Sequence, residues 1–294
     1  MNTLLSRLKA RLDKQLLKYL RSKNEFPRVI YEAVRYSAAA GGKRIRPVLM
    51  LLAGRACGLS DAGIMPAACA IEMIHTYSLI HDDLPAMDDD DMRRGRPTSH
   101  KKFGEANAIL AGDALLTKAF EVFMLCAETG EIRPEAVIKA AAMLANAAGI
   151  DGMVGGQAAD ILFEGKSAGK KQLSLIHSRK TGALIKAAVS IPAVLSEKQA
   201  GNIRLWAAFG EKIGLAFQVA DDILDVTGES AGLGKTAGKD AKAGKATYPA
   251  VYGLEASRKI AAKLALEAKE ILCKINGDTA ALSRVVDYIV GRTY

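Results

Sequence analysis

Apolar residues recur at three- and four-residue spacing along almost the whole chain, beginning with Leu4, Leu5, Leu8, Leu12, Leu16 and Leu20. That period gathers them on one face of an α-helix, and no stretch alternates as a half-buried strand does. The pattern predicts an all-α fold with helices over about 3–21, 26–39, 45–57, 61–83, 105–128, 134–149, 151–164, 171–190, 197–225, 255–275 and 278–290. Pro47 and Pro134 fall near predicted helix starts, where a missing N–H does no harm. The chain has 294 residues, half of them hydrophobic, with no fixed repeat and no Pro- or Ser-rich linker. A single domain over 1–294 is the expectation.

Composition narrows the function classes. The N-terminal apolar run is interrupted by Arg7, Lys9 and Arg11, unlike a signal-peptide core, and no stretch is expected to reach membrane-spanning length. A soluble cytoplasmic protein without integral membrane association is expected. Cys57, Cys69, Cys126 and Cys273 are far apart and lack C-x-x-C spacing, so they read as reduced core residues. The formal net charge of +9 suits anionic partners. Nucleic acid is disfavoured, because no long basic run exists and aromatics make up only 5% of the residues.

Two aspartate clusters carry the chemistry. The first runs from His81 through Asp82, Asp83, Leu84, Pro85, Ala86 and Met87 to Asp88, with Asp89, Asp90 and Asp91 following. The second places Asp221, Asp222 and Asp225 after Gln218. Asp221 and Asp225, four apart, project from one helix face. Asp82 and Asp88, six apart, would diverge on an unbroken helix, but Pro85 disfavours helix at Leu84 and lets the chain curl back. Asp89 to Asp91 read as a solvated helix end. The other aspartates adjoin strongly apolar sequence, where adjacent carboxylates repel unless a cation neutralises them. Oxygen-only donors point to Mg2+ rather than zinc. An EF-hand is excluded, since counting from Asp88 puts Arg93 at the glycine position and Ser99 at the glutamate position.

Cations answer these carboxylates. Gly41-Gly42-Lys43-Arg44-Ile45-Arg46-Pro47 sets two glycines and three cations before a helix start, favourable ground for a phosphate. Arg93, Arg94 and Arg96 follow the first cluster, and Lys180-Thr181 lies within a helix. The 226–246 loop carries Lys235, Lys239, Lys242 and Lys245 among glycines, as a lid over an anion needs. Gly232-Leu233-Gly234-Lys235-Thr236-Ala237 is no P-loop or dinucleotide fingerprint, because it follows a helix instead of a strand. His75 and His81, six apart, lack zinc spacing, and His81 reads equally as a packed helix residue.

As a set, these motifs resemble the trans-type short-chain prenyl diphosphate synthases, the bacterial farnesyl diphosphate synthases in particular. The likeness runs from Gly41-Gly42-Lys43-Arg44-Ile45-Arg46-Pro47 to Tyr248-Pro249. It implies a bundle of ten or more helices around a central cavity, in a protein that is usually a homodimer. It further implies that Lys43, Arg46, His75 and Arg94 bind isopentenyl diphosphate. Arg93, Lys180, Thr181, Gln218 and Lys235 would hold the allylic diphosphate, with Lys245 a weaker candidate. Asp82, Asp88 and Asp221 would be the principal magnesium ligands, with Asp83, Asp222 and Asp225 bound directly or through water. Gln157 matches a helical glutamine near the reacting carbons. Tyr77 and Ser78, five and four positions before Asp82, would set product length, Tyr77 as the floor that stops the chain at fifteen carbons. A terpene cyclase needs no isopentenyl site, so Lys43 and Arg46 argue against that alternative. Geranyl or geranylgeranyl synthases and a non-catalytic prenyl-diphosphate-binding subunit are the others.

Overall fold

The computed structural model describes residues 2–165, 169–197, 200–227 and 247–291. Lys235, Lys239, Lys242 and Lys245 lie outside the described residues. The fold is all-α, as the periodicity predicts. The chain divides into two compact units, one made of residues 1–51 and 61–137 and the other of 52–60 and 138–294.

In the first unit, α1 (Asn2–Tyr19), α2 (Arg28–Ala38), the start of α3 (Ile45–Ala56), α4 (Asp61–Asp82), α5 (Ser99–Phe103) and α6 (Glu105–Met124) form the core. The spine is α4, which packs on α6, α1 and α2. It is buried at every position from Gly63 to Ile74, so its near-continuous apolar sequence needs no polar face. This corrects the expectation about membrane-spanning length. At 22 residues α4 is long and apolar enough to cross a bilayer, as is the stretch Pro134–Phe163, but 83% of the α4 window is buried inside the fold. The second stretch breaks between Ala148 and Met153.

The second unit contains α7 (Pro134–Ala148) from Ile138 onward, α8 (Met153–Phe163), α9 (Lys170–His177), α10 (Ala183–Ser196), α11 (Ile203–Thr227), α12 (Tyr248–Tyr252), α13 (Leu254–Leu272) and α14 (Ala280–Gly291). Here α11 is the spine, packing on α13, α10 and α14. Trp206, Phe209 and Ile213 on it are completely buried, each worth roughly 1.5–3 kcal/mol of transfer free energy.

Three local features depart from the periodicity. A two-residue hairpin pairs Met92–Arg93 (β1) with Arg96–Pro97 (β2), turned by Arg94 and Gly95 with φ of 53° and 73°. Such a hairpin is too short to show alternation. The single helix expected over 171–190 is interrupted at Ser178–Gly182 by a wider turn of the i to i+5 kind. The helix expected to start at 197 begins at Ile203, because Glu197 adopts a left-handed φ of 51° that ends α10. Among the cysteines, Cys57, Cys69 and Cys126 are buried as read, but Cys273 is exposed.

Candidate active site

The first aspartate cluster folds as its proline dictates. α4 ends at Asp82, and the backbone N–H of Asp88 donates to the Asp82 carbonyl at 2.8 Å. The curl brings Asp88 back beside Asp82, and both side chains are partly exposed. Adjacent helix positions point about 100° apart, so Asp83 faces inward. It is 3% exposed, and its two oxygens accept from Arg93 Nε at 2.6 and 2.8 Å. A buried carboxylate needs such a partner. Asp83 and Arg93 were expected to serve metal and allylic diphosphate; in this structure they neutralise each other.

Around His75, about two turns before Asp82, the cations gather. His75 is partly buried, and burial first, then Arg46, Arg94, Arg93 and Arg44 hold its pKa well below the usual imidazole value. It is therefore neutral at pH 7, a donor and acceptor set among guanidiniums. Arg94 donates to the Gly41 carbonyl and lies so close over Gly42 that a Cβ there would overlap its guanidinium. Gly42 also has φ of 116°, a conformation that favours glycine whatever the Arg94 side chain does. Lys43 is exposed and Arg46 partly so. Arg44 differs from the sequence reading. It is 3% exposed and turned into the unit, away from any phosphate role.

In the second unit, Asp221 and Asp225 are partly exposed one turn apart, while Asp222 is 2% exposed. Asp222 Oδ2 accepts from the Tyr248 backbone N–H at 2.9 Å, and its Oδ1 accepts from Gln218 Nε2 at 2.7 Å. Gln218 Oε1 in turn accepts from the Thr181 hydroxyl at 2.7 Å. This chain fixes the Gln218 amide and holds the Asp222 carboxylate in place. Lys180, in the wide turn, pairs with Asp160 at 2.7 Å. Sequence reading missed Asp160, although it lies three residues after Gln157 on α8 and so shares its face. The wide turn lies against α8, where a Cβ on Gly156 would overlap the Lys180 backbone nitrogen.

His81 is structural. Its Nε2 lies 3.0 Å from the Ile109 carbonyl, and its ring packs edge-on to Tyr77. Tyr77 is 6% exposed, and Ser78 beside it donates to the His75 carbonyl. Beyond the expected ligands, Asp89, Asp91 and His100 each offer a ligand atom within 4.8 Å of the others. Asp89 and Asp91 are exposed, as a solvated run should be, and Asp91 pairs with Lys101 at 2.7 Å. Within each unit the carboxylate pair, Asp82 with Asp88 and Asp221 with Asp225, offers oxygen donors of the kind that suit a hard divalent cation.

The sequence matches the polyprenyl synthetase family over residues 27–289. The chain is a member of the polyprenyl synthetase family. It is 49% identical to the farnesyl diphosphate synthase of Escherichia coli over 267 residues, which cover 90% of this chain and 89% of that one. It is 50% identical to geranylgeranyl pyrophosphate synthase 11, chloroplastic, of Arabidopsis thaliana over 270 residues, 90% of this chain and 75% of that one. A solved FPP/GFPP synthase from Zymomonas mobilis superposes with a TM-score of 0.87 at 34% identity, covering 98% of both chains. The protein is thus a short-chain trans-prenyltransferase, an enzyme of isoprenoid biosynthesis in a family that uses divalent metal. Its relatives are named for products of different length.

Proposed function

We propose that the enzyme condenses isopentenyl diphosphate with dimethylallyl diphosphate and then geranyl diphosphate, and releases farnesyl diphosphate as its main product. The observation that carries this reading is the gathering of Arg46, Arg93 and Arg94 around His75, with Arg94 held on the Gly41 carbonyl, in the same compact unit as the Asp82–Asp88 curl. An anion-binding cluster next to paired carboxylates fits two diphosphates, one held by cations and one held through metal. Lys43, Arg46, His75 and Arg94 take isopentenyl diphosphate in this reading. Asp82, Asp88, Asp221 and Asp225 hold Mg2+, which when bound supplies the charge that lets an allylic diphosphate leave.

The chain's own residues do the rest. Lys180 sits on the allylic diphosphate, its position set by Asp160. The Thr181 hydroxyl and Gln218 amide, already locked by their hydrogen bonds to each other and to Asp222, present fixed dipoles to the developing allylic cation. Gln157 stands near the reacting carbons. No nucleophilic side chain takes part in this reading.

Tyr77 supports the fifteen-carbon product, since a buried ring five positions before Asp82 closes the path a longer tail would follow. A homodimer in the cytoplasm completes the reading. Ile109 and Leu110 on α6 are 44% and 52% exposed, an apolar pair suited to a partner subunit.

The test is incubation with Mg2+, isopentenyl diphosphate and either dimethylallyl or geranyl diphosphate, with products identified by mass. Farnesyl diphosphate as the main product is expected. A twenty-carbon main product would replace the farnesyl reading with a geranylgeranyl one, and absence of any prenyl product would overturn the whole.

A further inference from the structure

We propose that Arg44 and Glu72 form a buried positioning pair that holds the Gly41–Arg46 loop in register and thereby sets affinity for isopentenyl diphosphate. The proposal rests on the reading of Lys43, Arg46, His75 and Arg94 as the isopentenyl diphosphate site.

Among the three cations of the loop, Arg44 alone is withdrawn from solvent. Its Nη1 donates to Glu72 at 2.6 Å, its Nε to Asp13 at 2.9 Å, and its Nη2 to the Ala38 carbonyl at 2.5 Å. Those partners sit on α4, α1 and the last residue of α2, so one guanidinium ties the start of α3 to three other helices. Only arginine has a planar fork able to serve three directions at once. The backbone registers the demand, since Arg44 takes a left-handed φ of 51°, unfavourable for a residue with a Cβ. With Arg44 inward, the flanking Lys43 is exposed and Arg46 partly exposed.

Glu72 is 1% exposed and is the one acidic residue between Asp61 and Asp82 on a helix that is otherwise core. A carboxylate so placed is costly unless paired. It lies one turn before His75, and its charge favours the protonated state of Arg94, against the burial that is the main influence there. Glu72 thus touches both ends of the cation cluster, by direct bonding to Arg44 and by field at Arg94. It contacts no substrate in this account; it acts through Arg44.

The sign of the effect distinguishes positioning from simple charge. If Glu72 mattered only as a nearby negative group, Glu72→Gln would make the site more cationic and lower the KM for isopentenyl diphosphate. Positioning predicts the reverse. The experiment is steady-state kinetics on Glu72→Gln, Arg44→Lys and Asp13→Asn, each substrate varied in turn, with thermal melts and calorimetric titration by inorganic diphosphate. Glu72→Gln and Arg44→Lys should raise the KM for isopentenyl diphosphate by about 10-fold or more, while the KM for geranyl diphosphate stays within about 2-fold. Asp13 is partly exposed, so Asp13→Asn loosens one arm without stranding a buried charge. It should fold whatever becomes of the other two, and raise the same KM about 3-fold, the size expected for losing one partly exposed ion pair. A lowered melting temperature with both KM values unchanged, or an isopentenyl KM that falls, overturns the proposal. Failure of the wild-type protein to form any prenyl product would instead overturn the functional reading. Diphosphate titration still reports on the pair in that event, and equal affinity in wild type and Asp13→Asn would count against it.

Discussion

His177 is stacked under Tyr248 with ring centroids 5.5 Å apart, and burial, assisted by Lys180 and opposed by Asp160, pushes its pKa down to about 4. In the unfolded chain it titrates near the ordinary value of about 6.5. Between those limits the unfolded state binds a proton that the native state refuses. Stability is therefore full above pH 6.5 and declines as pH falls, by about 1.4 kcal/mol per unit until pH 4. His75 is shifted in the same direction and adds to the slope. Urea titrations at pH 7.5 and pH 5 should show the loss, and His177→Asn should flatten the difference without removing it; an equal pH dependence in the variant would refute this. Tyr77 presents a second single-residue question. Its ring is buried and packs edge-on to His81, which alone would be ordinary core packing. Its position five residues before Asp82 gives it a further consequence in the proposed reading, where a tail running from a diphosphate at Asp82 along α4 would meet that ring. Tyr77→Ala should lengthen the main product by at least one isoprene unit, read by mass. An active variant that stops at the wild-type length would show that the floor lies elsewhere.

At the scale of elements, the longer helices were legible because apolar residues recur along them at helical spacing, whereas the five-residue helices α5 and α12 are too short to show a period and were not expected. What the period could not show are places where backbone geometry changes without a change of polarity. The wide turn at Ser178–Gly182 is one, since an extra residue in a turn leaves no mark on composition. The Arg94-Gly95 hairpin is another, as two-residue strands have no period to detect. Both carry expected substrate contacts: Lys180 and Thr181 on the first, Arg93 and Arg94 on the second. The wide turn depends on close approach by α8, where Gly156 leaves no space for a methyl group against the Lys180 backbone. Gly156→Ala must push that turn outward, lengthening Lys180–Asp160 and Thr181–Gln218. Overpacking of this kind costs about 1–3 kcal/mol. The expected result is a lower melting temperature together with a raised KM for the allylic substrate, the isopentenyl KM being unaffected. A stability loss with unchanged allylic KM would mean that the turn holds its shape without α8.

For the molecule as a whole, the sequence revealed which residue types meet which charges, but not how neighbouring aspartates divide their work. Asp82 and Asp83, and Asp221 and Asp222, are indistinguishable as letters. The fold separates them by turning one of each pair inward, Asp83 to Arg93 and Asp222 to Gln218 and the Tyr248 N–H, leaving Asp82 and Asp221 partly exposed. Partners such as the buried Glu72 and the partly buried Asp160 were missed because a lone carboxylate in apolar sequence advertises no function until its counter-ion is seen. The division makes a linkage prediction. A ligand that binds only the native state stabilises it by about 2.7 kcal/mol at one hundred times its Kd. Saturating Mg2+ with inorganic diphosphate should therefore raise the wild-type melting temperature by several degrees, roughly 2–4 °C per kcal/mol for a chain of this size class. Asp82→Ala and Asp221→Ala replace partly exposed carboxylates, so their ligand-free melts and helicity should match the wild type. Each should nonetheless lose most of the ligand-induced rise and turn over slower by orders of magnitude, as should the wild type stripped of metal by a chelator. If either variant keeps the full thermal response and near-normal product formation, that aspartate does not hold the metal, and the two-cluster assignment fails with it.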